Sequence, residues 1–267
     1  PSDIFFVRDN LFIGHFRNHT GDLLHNFVLF YPSGVVSQFE NYVQFNRSRE
    51  MASWTERAMK PYRIGEQIYV KELANDTLFR LSGQNKLVPQ FVFDIGEYTI
   101  TKEKKENQVS IINGIYAEEI ILPTDGYLPM IGTQNHLFFS FRAYSLSGKY
   151  SFPTDMDIPK NSDWHVVAGL YDIANQTTQL LDTDPVTRMD GMVNDLDGGL
   201  SFWPKYYSSN DELIDIWRAV DMKQYLTESY FDAHEIKNPE AHQKLKKLLQ
   251  KLDEEDNPVV VIGKSRR

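Results

Sequence analysis

The stretch "DNLFI", Asp9 to Ile13, decides the fold, because its chemistry returns three more times along the chain. Each copy sets a polar or glycine pair before an aliphatic residue and a further apolar run. The copies are "EQIYV" from Glu66, "NHLFF" from Asn135 and "GGLSF" from Gly198, where Ser201 replaces the aromatic and Phe202 follows. The pair reads as a turn and the apolar run as the start of a strand.

The aliphatic positions Leu11, Ile68, Leu137 and Leu200 are 57, 69 and 63 residues apart. Those periods exceed the about 40 to 50 residues of common propeller blades. The surplus falls in charged interruptions such as "NRSREMASWTERAM" from Asn46 and "TKEKKENQ" from Thr101, which read as loops or a short helix outside the sheets.

Further strand signals follow each copy. In "QFVFDIG" Phe91, Phe93 and Ile95 point one way and Gln90, Val92 and Asp94 the other, since successive side chains leave opposite faces of a strand. Phe27 to Tyr31 is apolar on both faces, as in a strand covered by neighbouring sheets, and Pro32, Ser33 and Gly34 end it with a turn. A sheet of three or four such strands cannot bury both faces alone. Stacking it with its copies around an axis does so, which is the physical basis of a β-propeller; a β-sandwich is the alternative. The expected fold is therefore all-β, with four-stranded antiparallel blades in a single domain over residues 1–267.

The carboxyl end departs from this pattern. Asn238 reads as an N-cap, Pro239 as the first helical residue and Glu240 as first-turn acid, with Leu245, Leu248, Leu249 and Leu252 on one amphipathic stripe. A short strand from Val259 to Ile262 follows, where a propeller often lends a terminal strand to another blade.

Composition narrows the partners. The 28 basic and 37 acidic residues give a net charge of -9, which repels phosphate backbones and anionic lipid and argues against nucleic acid. No apolar run is long enough to span a bilayer. With 0 cysteines, disulfides, thiolate metal sites and cysteine nucleophiles are excluded.

Together "KELANDTLFRLSG" from Lys71, "PQFVFDIGEY" from Pro89, "NDLDGGLSFWP" from Asn194 and "KKLLQKLDEEDNPVVVIGK" from Lys246 resemble the six-bladed β-propeller family common in Bacteroidetes, itself similar to NHL and TolB-like propellers. Four visible units are fewer than six blades, so either about two amino-terminal blades lie outside this chain or some blades have diverged. The resemblance implies a periplasmic or cell-surface location, with a lipid anchor in the full-length precursor. It brings no common reaction.

"NDLDGGLSFWPKYY", Asn194 to Tyr207, has two readings. As a structural turn, Gly198 and Gly199 supply positive φ or close approach, the aspartates bond to backbone amides, and Trp203 packs between blades. As a ligand-contacting loop, Asp195, Asp197 and Trp203 stand at a channel mouth and suit a sugar or peptide. A calcium loop would need further oxygen ligands where an apolar strand follows. Asp182, Asp184 and Asp190 form an acidic loop upstream, read as solvated or, alternatively, as paired acid–base carboxylates.

His15 and His19 have helical metal-ligand spacing but sit at a strand end, so a surface or rim role is expected; His136 and His165 read as partly buried core histidines. Asn75 and Asp76 read as a hairpin turn into Leu78, with Arg80 tying down a neighbouring loop through a carboxylate. No catalytic residue, metal or cofactor is assigned. The expected function is a binding or protein-interaction scaffold for a glycan, peptide or protein partner. The alternatives are a propeller hydrolase or lyase with carboxylates or a metal at the axis, and a structural envelope component with a broad apolar patch.

Overall fold

The computed structural model describes residues 1–18, 21–42, 44–45, 61–64, 67–72, 75–94, 120–123, 130–144, 164–181, 191–208 and 212–264. The chain divides into two compact units, Pro1–Asp125 with Phe141–Tyr150 and Lys160–His165, and Gly126–Ser140 with Ser151–Pro159 and Val166–Arg267.

The first unit contains two four-stranded antiparallel sheets, each in chain order. One comprises β1 (Asp3–Arg8), β2 (Leu11–His15), β3 (His25–Tyr31) and β4 (Gly34–Glu40); the other comprises β5 (Tyr62–Ile64), β6 (Gln67–Val70), β7 (Thr77–Leu81) and β8 (Leu87–Val92). The opening motif explains the first hairpin. Asp9 and Asn10 take φ of 44° and 60°, the paired left-handed conformation of the tight two-residue turn that suits right-twisted strands. Just before it, Phe6 faces Phe12 and Arg8 faces Leu11, so Val7 is an extra residue in a bulge.

Val7, Leu11, Ile13, Phe27 and Leu29 from the first sheet cluster with Ile68, Val70 and Phe79 from the second. Each such side chain, fully buried, stabilises the fold by about 1.5–3 kcal/mol relative to exposure. β3 buries Asn26, Phe27, Val28 and Leu29 in succession, which meets the expected doubly covered run over Phe27 to Leu29, whereas Phe30 is half-buried and Tyr31 is exposed. β8 begins at Leu87, earlier than the alternation in "QFVFDIG" implies, and stops at Val92. It carries Pro89, which an edge strand accommodates because one of its sides makes no ladder bonds. Phe93 lies beyond the strand, and Ile95 lies outside the described residues.

A third sheet runs β10 (Ile131–Gly132), β11 (His136–Tyr144), β12 (Trp164–Asp172) and β13 (Thr177–Leu181), with β9 (Ile120–Pro123) also paired to β11. A fourth runs β14 (Tyr206–Tyr207), β15 (Glu212–Trp217) and β16 (Val259–Lys264). Between β15 and β16 the chain forms α1 (Ala219–Tyr225), α2 (Glu228–Ala233) and α3 (Pro239–Lys251). α3 starts as its sequence dictates: the Asn238 side chain accepts from the Ala241 amide at 3.1 Å, and Pro239 occupies the first turn.

Its inward stripe differs from the expected one in one place. Leu245 is buried and Leu249 and Leu252 pack against the same cluster, but Leu248 is 38% exposed while His242 is buried. Positions 242, 245, 249 and 252 follow the three-four spacing of one helix face, so the histidine takes the place assigned to Leu248. The expected terminal strand is present as β16, and it pairs with β15 from Trp217 opposite Val259 to Glu212 opposite Lys264. The described fold is thus mostly β, with four antiparallel sheets and a few short helices. Sequential four-stranded meanders of this kind fit a propeller-like fold.

Candidate functional site

At one end of the first unit, buried ionisable groups meet where β-sheet register brings strand ends together. Asp3 on β1 faces His15 on β2, and His15 faces Phe27 on β3, its ring 5.0 Å from the phenyl centroid. Glu72, just past β6, closes the set from the other sheet. His15 Nε2 lies 3.0 Å from Glu72 Oε1, and Asn26 Nδ2 donates to Glu72 Oε2 at 2.7 Å. His15 and Glu72 are 0% and 1% exposed. The expectation of a surface or rim role for His15 is therefore corrected, because strand pairing carries this ring inward between two carboxylates; His19 lies outside the described residues.

The other imidazole nitrogen, Nδ1, is 3.5 Å from Asp3 Oδ2, a charge contact without a formed hydrogen bond. Arg17 grips the same carboxylate from outside, its Nη2 donating to Asp3 Oδ1 at 3.1 Å. Burial pushes the Asp3 carboxyl up, but the Arg17 hydrogen bond and charge, with the nearby His15 adding to them, outweigh it and hold the group below the usual carboxylate range. The adjacent Lys71 is also buried; its Nζ donates to the carbonyls of Glu72 and Asn75 and sits 5.4 Å from the Phe93 ring centroid.

Next to this network opens a cavity of about 450 Å³. Its deep residues Asn26, Phe27, Asn75 and Phe79 are buried. Its rim carries Gln38, Glu40 and Tyr42 from the β4 side and Asn85 and Lys86 from the β7–β8 turn. Asn26 belongs to both features, so a ligand in the cavity would touch a side chain that the Glu72 carboxylate orients. Among the described lining residues the chemistry is four carboxamides, four aromatic rings, the Ser37 hydroxyl, one carboxylate and one ammonium. Carboxamides both donate and accept, and a ring face packs on apolar C–H surface. The expected turn at Asn75 is present, its Oδ1 accepting from the Thr77 amide at 2.9 Å. Arg80 ties down neighbours differently from expectation, bonding the amide oxygens of Gln67 and Gln90 instead of a carboxylate.

The stretch Asn194 to Tyr207 lies in the second unit, and its contacts are those of a turn followed by a buried segment. Asp195 pairs with Lys237 through its side chain, holding the lysine ammonium above its usual range, while its carbonyl accepts from the Lys237 amide at 2.7 Å. Asp197 Oδ1 accepts from the Gly199 amide at 2.9 Å, and Gly198 takes φ of 75°. His242 Nδ1 donates to the Asp197 carbonyl at 2.7 Å, which fixes α3 to this turn. Trp203 is 1% exposed, packed edge-on at 5.8 Å to Phe138, and its amide donates to Asp215 Oδ2 at 3.0 Å. The Asp215 carboxylate also receives Trp217 Nε1 at 3.2 Å and Lys205 Nζ at 3.0 Å. Asp182, Asp184 and Asp190 lie outside the described residues, as does the side chain of His165; His136 is partly buried, as expected.

Sequence reasoning missed both the cavity and the ionic network. The signal was a set of polar residues at strand ends, Asp3, His15, Asn26 and Glu72, but nothing in one dimension pairs positions 57 residues apart. Among the described residues no helix is long and apolar enough to cross a membrane. A family model described as "Domain of unknown function (DUF4934)" matches residues 1–264. No curated protein and no solved structure gives a significant match.

Proposed function

The chain belongs to that DUF4934 family, and from this premise we propose that it is an extracytoplasmic binding scaffold of β-propeller type that holds a glycan in the cavity beside Asn26. One observation carries the reading: an open cavity of about 450 Å³ that combines the carboxamides of Asn26, Gln38, Asn75 and Asn85 with the rings of Phe39, Tyr42 and Phe79. Sugar hydroxyls donate and accept in the same way as carboxamides, and sugar C–H faces stack on aromatic rings. The sheet pairs supply the rigid frame on which such loops bind with little ordering cost.

Binding is favoured over hydrolysis by the lining itself. Hydrolysis of a glycosidic bond uses two carboxyl groups about 5–10 Å apart, whereas the described lining offers Glu40 alone. Glu72 is sealed behind Asn26 and His15 and engaged by both. The propeller arrangement and the location outside the cytoplasm extend the resemblance of the sequence motifs, and sequential antiparallel meanders support the former.

Titration calorimetry against oligosaccharide and peptide panels tests the reading. A glycan should bind saturably, and Tyr42→Ala and Asn85→Gly, both on the rim, should each weaken it about tenfold, or about 1.4 kcal/mol, without lowering the melting temperature, glycine being chosen because Asn85 takes φ of 56°. Saturable binding by peptides alone, or by a glycan that ignores both substitutions, would replace it. Cell fractionation with an antibody to the chain checks the compartment.

A further inference from the structure

The first unit has a second cavity, away from the buried histidine and on the other side of the β7–β8 turn from the first. β2 runs from Leu11 to His15 and β6 from Gln67 toward Glu72, so the starts of these strands lie away from the buried histidine, by roughly 13–17 Å at the usual strand rise. At that far end Val7 and Arg8, Arg63, Gln67 and Ile68, and Leu81, Ser82 and Gly83 enclose about 100 Å³. This is room for several water molecules, and so for a small oxyanion.

The hydrogen-bonding sense of the lining is one-sided. Gln67 Oε1 already accepts from Arg80 Nη1 at 2.8 Å, which leaves the Gln67 amide –NH₂ as the group on offer. Ser82 Oγ already accepts from the Lys86 amide at 3.2 Å, so its O–H is left to donate. Arg63 spends one N–H on the Val7 carbonyl, which occupies that acceptor and orients the guanidinium, and a guanidinium only donates. Arg8, beside the bulge at Val7, lines the cavity as well. Among the described residues no carboxylate lines the cavity, although acidic residues outnumber basic ones in the chain by 37 to 28. Two guanidiniums, an amide –NH₂ and a hydroxyl line the cavity, and the side-chain oxygens of Gln67 and Ser82 each already accept one hydrogen bond.

We propose that this cavity is an oxyanion site, in which Arg8 and Arg63 clamp a sulfate, phosphate or carboxylate group of a ligand while Gln67 and Ser82 donate to its remaining oxygens. Planar guanidinium forks match such groups bidentately, and charge-assisted bonds of this kind are short and strong. The site shares no lining residue with the glycan cavity, although both touch the β7–β8 turn, where the Lys86 amide donates to Ser82 Oγ; Arg8 lies outside that turn, so its substitution separates the two readings.

The test uses the whole chain with sodium sulfate, sodium phosphate and sodium acetate at ionic strength matched by sodium chloride, read by thermal shift and calorimetry. At least one oxyanion should raise the melting temperature saturably beyond chloride. Arg8→Gln should weaken it tenfold or more while leaving the melting temperature in chloride unchanged. Ser82→Ala gives a second, milder reading of several-fold, taken relative to its own melting temperature in chloride because it also removes the acceptor of the Lys86 amide. Preference for sulfate or phosphate assigns an ester-bearing ligand; preference for acetate assigns a carboxylate. Anions that act only through ionic strength, or an Arg8→Gln variant that responds as the parent does, would overturn the proposal.

Discussion

Replacing Glu72 is the sharpest probe of the first unit. The carboxylate is 1% exposed and is the shared acceptor for two buried donors, His15 Nε2 at 3.0 Å and Asn26 Nδ2 at 2.7 Å. Glu72→Ala strands both donors away from water, at about 1–3 kcal/mol each, so about 2–6 kcal/mol in all. Against a typical total stability of about 5–15 kcal/mol this is a large share. Glu72→Gln keeps one acceptor but turns an –NH₂ toward the other donor, for about 1–3 kcal/mol. Urea unfolding followed by far-UV circular dichroism gives the magnitudes. Hydrogen exchange should place the loss in peptides covering β2 and β3. The reasoning fails if Glu72→Ala costs under about 1 kcal/mol, or if Glu72→Gln is as stable as the parent.

Three further outcomes are expected. The Asp3 carboxyl is held below the usual carboxylate range, so its contribution to stability is complete above the unfolded value of about 3.9 and is lost as pH falls through the lower folded one; Asp3→Asn should lower the urea midpoint at neutral pH and flatten its decline below about pH 4. A Cβ on Gly169 would lie 2.4 Å from the Phe139 ring, so Gly169→Ala should cost about 1–3 kcal/mol by overpacking, and calorimetric melting should show recovery when Phe139→Leu is added. Gly198 combines a φ of 75° with Ile236 3.2 Å from a built Cβ; Gly198→Ala should cost about 1–2 kcal/mol for the left-handed backbone, and Gly198→Asn less, in the same melting assay.

Those features that depend on neighbours in sequence were legible. Asp9 and Asn10 announce a tight hairpin, Pro32 and Ser33 end β3, and Asn238 and Pro239 start α3, because in each case the cause acts within a few residues. The bounds of β8 were not, since Pro89 argues against a strand until an edge position is known. Leu248 and His242 exchanged places because an apolar count cannot see that the Asp197 carbonyl awaits a donor. The candidate cavity escaped for a deeper reason. Asn26, Gln38, Asn75 and Asn85 are ordinary polar residues in one dimension, and only the packing of one meander on another makes them neighbours.

The pairing of β15 with β16 bears on how the protein is made. Trp217 and the apolar side of β15 wait for Val259 and Val261, which are translated some forty residues later. At about 5–20 residues per second this leaves an incomplete sheet for roughly 2–10 s on the ribosome. During that interval the helices between them can form locally, but the sheet edge stays open to any other strand that is nearby. Codon usage or chaperone capture around residues 218–258 should therefore govern the yield of folded protein more strongly than the same changes around β1 and β2, whose partners follow at once.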